Sequence, residues 1–77
     1  MKKDQAEKFE KELDNLRLDY LSNEYPELSG LIDRCYLCLL NVNKEAFETL
    51  PVYKEHLKEF NESYDKLQEY LSKLNDL

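Results

Sequence analysis

Glycine occurs once in this 77-residue chain, histidine once, and proline and cysteine twice each. One glycine and two prolines leave little material for tight turns or sheet corners. The two cysteines, Cys35 and Cys38, stand three residues apart, so a disulfide between them would not clip distant segments together. Unbridged cysteines fit a reducing cytosol, and a cytoplasmic location is expected. No apolar run approaches about 18 residues, which excludes a membrane-spanning helix. The start, MKKDQAEKFEKE, has the positive charge of a signal peptide but no apolar stretch behind it, so export by that route is not expected. No glycine-rich phosphate loop, catalytic carboxylate pair or Ser–His arrangement can be made out. An enzyme is therefore not expected, nor a cofactor. The net charge of −6 argues against direct binding to nucleic acid phosphates.

Leu, Glu, Lys, Asn, Asp and Tyr dominate the chain. Most of these favour helices, so the fold class expected is all-α. The reading is a small antiparallel three-helix bundle in a single domain, residues 1–77, with a long heptad-patterned last helix. The first helix is expected over about residues 2–22. Its seam is Ala6, Phe9, Leu13, Leu16 and Tyr20, with steps of 3, 4, 3 and 4. Leu18 and Leu21 lie off that seam and widen the apolar face. A turn follows, with Asn23 as a candidate N-cap and Pro26 in the opening turn of a second helix over about 24–42. A short helical turn is expected over about 44–50, and Pro51 opens the last helix, about 51–75. On that helix Leu50, Tyr53, Leu57, Phe60, Tyr64, Leu67, Leu71 and Leu74 form a seam with no charged position.

The middle of the chain reads CYLCLL, Cys35 to Leu40. On a helical wheel of about 100° per residue, Leu28, Leu31, Ile32, Cys35, Leu39 and Val42 share one side. Tyr36 and Cys38 flank them, while Leu37 and Leu40 point elsewhere. This turn is apolar all the way round, and a helix of that kind is normally enclosed by protein. Two neighbouring helices cover one face, not both. A domain of this size is also marginal on its own, burying only around 60% of its unfolded surface. The last helix, roughly 37 Å long at 1.5 Å per residue, is expected to overhang its shorter neighbours. These points together predict a homodimer, with Gly30, Leu37 and Leu40 marking a close helix approach.

Packing is the expected role of Cys35 and Cys38. A redox C-x-x-C sits at a helix N-terminus after a strand, and this one is mid-helix. A zinc site needs about four ligands; Cys35, Cys38 and His56 supply three at most. The function expected is a non-enzymatic protein–protein interaction module. Its type is a small inhibitor or regulator, as in phage, plasmid or immunity systems, that works by steric occupation of a partner surface. Its acidic faces suit a partner with a basic surface. The candidate contacts are Tyr25, Asp33, Tyr36, Leu37 and Leu40, with the acidic face Glu55, Glu59 and Glu62. Two alternatives stand beside it. One is a small-ligand or metal binder using Cys35, Cys38 and His56 or a tyrosine-lined pocket between protomers. The other is a coiled-coil subunit of a larger assembly.

Overall fold

The structure, a computed structural model, describes residues 2–21, 23–44 and 49–75. It is all-helical, with no strand among the described residues: α1 is Lys3–Asp19, α2 is Pro26–Lys44 and α3 is Pro51–Asn75. The short turn expected over 44–50 lies mostly outside the described residues, and Lys44 itself belongs to α2.

Side-chain partners give the topology. Along α1 and α2 the pairs Tyr20–Tyr25 and Arg17–Asp33 run in opposite senses, so these helices are antiparallel. Glu27 stands beside Tyr70 and Cys35 beside Ser63, so α2 and α3 are antiparallel too. Phe9 meets Phe60 and Tyr64, and Glu12 meets Tyr64 and Gln68, so α1 and α3 run parallel across the bundle. The whole measures 42 × 18 × 18 Å.

The turn between α1 and α2 differs from the expectation. α1 stops at Asp19 because Tyr20 is already extended, at φ −124° and ψ 99°, with its amide bonded to the Leu16 carbonyl. The Leu21 carbonyl then accepts the amides of Glu24 and Tyr25 at 3.0 and 2.9 Å. Asn23 is not the cap of α2. Tyr25 directly precedes the helix, and its carbonyl takes the Ser29 amide at 2.9 Å. Pro26 fixes this register: it supplies the first helical residue without an N–H, and it disfavours helical geometry at the residue before it. Leu50 and Pro51 repeat the device at α3, where the Leu50 carbonyl accepts the Tyr53 amide at 3.1 Å.

The start of α1 is uncapped. Lys2 occupies the N-cap position with no side-chain hydrogen bond, and it is exposed. A cation there also opposes the helix dipole. Lys2→Asp should therefore raise stability by about 1 kcal/mol, a rise in Tm of several degrees in a thermal melt followed by circular dichroism.

Phe60, Leu13, Leu28, Ile32, Leu39, Leu67, Val42 and Cys35 are fully enclosed. The seam of α3 is covered within one copy. Tyr53, Phe60, Leu67 and Leu71 are buried, Leu57, Tyr64 and Leu74 are half-buried, and Leu50 alone is exposed. α3 is the longest helix, as expected, but its seam is not left open: α1 lies parallel to α3 and its rings reach across to it. Phe9 sits 5.0 Å from Phe60 and 5.2 Å from Tyr64, edge to face in both cases. The Tyr64 hydroxyl donates to the Glu12 carboxylate at 2.9 Å, and Gln68 Nε2 donates to the same carboxylate at 3.3 Å. Burial and the adjacent Glu12 push the Tyr64 phenol up to about 12.

Candidate functional site: the outer face of α1 and α2

Exposed apolar side chains fall in two places: Leu18, Leu21, Leu37 and Leu40 on α1, the turn after it and α2, and Leu50 and Val52 at the start of α3. Leu37 is 60% exposed and Leu40 41%. Leu18 and Leu21 are exposed as well, so they do not widen the core face as their positions suggested. Leu21 lies beyond the end of α1, and for Leu18 the reason is rotational. Leu13 and Ala6 point into the bundle, and Leu18 lies about 140° round the helix from Leu13.

Between these leucines stands a polar cluster that holds α1 to α2. Arg17 donates to Asp33 Oδ1 at 2.9 Å, and its guanidinium lies 5.0 Å from the centre of the Tyr36 ring. The pair is solvent-accessible, with side chains 41% and 62% exposed, so its contribution to stability is at most about 1 kcal/mol. Its larger effect is positional: a guanidinium fixed by a carboxylate and an aromatic face has little side-chain entropy left to lose on contact. Tyr25, half-buried, packs edge to face on Tyr20 at 5.1 Å. Arg17, Tyr20, Leu21, Ser29, Ile32 and Asp33 line a shallow groove of about 350 Å³. Leu37 is one turn on from Asp33, and Leu40 one turn on from Tyr36, so the groove leads into the leucine stripe. Tyrosine and arginine, which stand here beside the exposed leucines, are among the residue types that dominate binding energy at protein interfaces.

Tyr25, Asp33, Tyr36, Leu37 and Leu40 thus come from α2 and its entry, alongside Arg17 of α1. Glu55, Glu59 and Glu62 do not join them. They project from α3, where Glu59 and Glu62 share a cleft of about 150 Å³ with Leu31, Arg34, Ser63 and Lys66. Two cations in that cleft offset its acidity. Arg17 is the member of this cluster that sequence reasoning did not single out. A helical count places it one turn beyond Leu13, at the border of the core, which is the signal that could have found it.

Gly30 does not sit against another helix of this chain. It is exposed, and a Cβ built there would meet nothing within 4 Å. Cys35 and Cys38 are buried free thiols. Burial pushes the Cys35 thiol up, opposed by a hydrogen bond with Ser63; this is the reverse of what a reactive thiolate needs. Ser63 is itself buried and donates to the Phe60 carbonyl at 2.8 Å, satisfying its hydroxyl locally. His56, half-buried, has Nδ1 3.9 Å from the Glu59 carboxylate. Among the described residues no group of three or more His, Cys, Asp or Glu side chains is placed to hold a metal ion. Among them also, no helix is long and apolar enough to cross a membrane. No known protein family, curated protein or solved structure matches this chain.

Proposed function

We propose that this chain is a non-enzymatic protein–protein interaction module, a small cytoplasmic regulator or inhibitor whose exposed leucine face on α2 is covered by another polypeptide, either a second copy or a foreign protein. The supporting observation is the exposed Leu37 and Leu40, adjoining a fixed Arg17–Tyr36–Asp33 cluster. Leu37 and Leu40 are neighbours on one helix face, and adjoining exposed apolar side chains rimmed by polar groups are characteristic of contact surfaces. The seam of α3 offers less, since only Leu50 of its eight positions is exposed.

Photocrosslinking tests this. A photoreactive residue at position 37, in cells of the native source, is expected to yield a discrete adduct. The same probe at Asn61, exposed on α3, is expected to yield none. An adduct of twice the 9.3 kDa chain mass identifies a second copy, and a larger one identifies a foreign protein. Silence at position 37, or equal labelling at both positions, overturns the proposal.

A further inference from the structure

The outward stripe of α2 has a direction. Gly30, Asp33, Leu37, Leu40 and Lys44 follow one another at steps of 3, 4, 3 and 4, and all five are exposed. From its N-terminal end the stripe reads open, acidic, apolar, apolar, basic. A stripe with its acidic group at one end and its basic group at the other complements its own reverse.

We propose that this stripe docks on the same stripe of a second copy, antiparallel about a two-fold axis, with Leu37 against the partner's Leu40 and Asp33 against the partner's Lys44. The inference rests on the interaction reading above and names the occupant of that surface. Each contact occurs twice, as a two-fold interface requires. In this register residues whose numbers add to 77 stand opposite one another, so both leucine contacts and both ion pairs form together. Sliding the helices by one turn sets Asp33 against an apolar side chain or leaves Lys44 unmatched. Asp33 already binds Arg17, yet its side chain remains 62% exposed and open to a second cation. The empty space over Gly30 keeps the acidic end of the stripe clear of steric obstruction.

Net charge makes the test sharp. Each chain carries −6, so two copies repel one another at long range. Asp33→Lys turns −1 into +1 and brings the chain to −4, which by long-range repulsion alone would tighten a dimer. The register demands the opposite, because the introduced ammonium would then face the partner's Lys44. Lys44→Glu should also weaken it, and it leaves the Arg17–Asp33 pair intact. Mixing the two variants restores both ion pairs, since each chain then supplies the sign that the other lacks.

Sedimentation equilibrium over roughly 1–100 µM is the measurement, with thermal melts to confirm that each variant folds. The wild type is expected to dimerise, each single variant to bind itself about tenfold or more weakly, and the equimolar mixture to recover wild-type association as a heterodimer. A monomeric wild type across that range overturns the inference, as do a dimer tightened or unchanged by Asp33→Lys and a mixture without recovery. The two readings fail separately. A monomer whose position 37 crosslinks a larger protein loses the self-docking but keeps the interaction function, whereas silence at position 37 removes both.

Discussion

Replacing Phe60 with alanine should cost about 3–5 kcal/mol and leave much of the chain unfolded at room temperature. Phe60 is 1% exposed, the largest of the fully enclosed side chains, and it stands where the three helices meet. Its ring faces Phe9 of α1 edge-on at 5.0 Å, and it is tilted against Tyr64, 6.0 Å away. Truncation removes the transferred area, leaves a cavity and abolishes the edge-to-face contact, itself worth roughly 0.5–1.5 kcal/mol. Because α1 reaches α3 through these rings, little else would take up the space. A domain of this size has a total stability on the order of 4–10 kcal/mol, so a loss of this magnitude consumes most of it. Urea unfolding followed at the helical circular dichroism band gives the number. Phe60→Leu should lose roughly 1–2 kcal/mol, because it refills part of the cavity. Leu18→Ala, at a side chain 77% exposed, should change stability by less than about 0.5 kcal/mol. A Phe60→Ala midpoint as close to the wild type as that of Leu18→Ala would contradict a shared three-helix core.

The reach of sequence reasoning can be judged from single residues. Helical periodicity located three helices and an all-α fold because apolar spacing is a local property of the chain. The same periodicity singled out Leu37 and Leu40: a helix apolar on every side has more faces than two neighbours can cover, and both residues are exposed. It failed for Leu18 and Leu21. Their position beside a seam suggested a wider core face, but α1 ends before Leu21, and the rotation that turns Leu18 outward depends on the helix's neighbours. It failed in the opposite sense for α3, whose length suggested an open overhang. The direction of α1, set by the turn at Tyr20–Tyr25, places Phe9 and Glu12 over Phe60, Tyr64 and Gln68 and closes that face. Asn23 has the right chemistry for a cap, yet Pro26 decides where α2 begins, and that puts Tyr25 at its entry. Arg17 had no visible role in the sequence because its partners, Asp33 and Tyr36, lie across a turn whose geometry periodicity does not specify.

High pH should unfold this protein through groups that must stay neutral to remain packed. The Tyr64 phenol is raised from 10.0 to about 12, first by burial and then by donating to Glu12. A folded-state pKa above the unfolded value means a contribution that is complete below about pH 10 and is lost as pH climbs toward 12. Two units correspond to at most about 2.7 kcal/mol, and partial solvent access reduces that to about 1–2 kcal/mol. Cys35 acts with the same sign from a lower starting point. Its thiol is raised above 9.0 chiefly by burial, so stability should begin to fall above about pH 9 as the unfolded chain gains a thiolate that the core resists. Tyr70, half-buried beside Glu27, is raised as well, first by burial and then by Glu27, so Tyr70→Phe should also flatten the fall above about pH 10. Urea unfolding at intervals from about pH 8 to pH 12 measures the slope. Tyr64→Phe should be about 1 kcal/mol less stable than the wild type near pH 8, having lost the hydrogen bond to Glu12. It should also decline less steeply between pH 10 and 12, so the two curves converge at the alkaline end. Cys35→Ala should remove the early part of the fall. Wild-type and Tyr64→Phe curves that stay parallel through pH 12 would show that the phenol ionises as readily in the folded chain as in the unfolded one, and that the Glu12–Tyr64 contact does not hold α1 to α3 in solution.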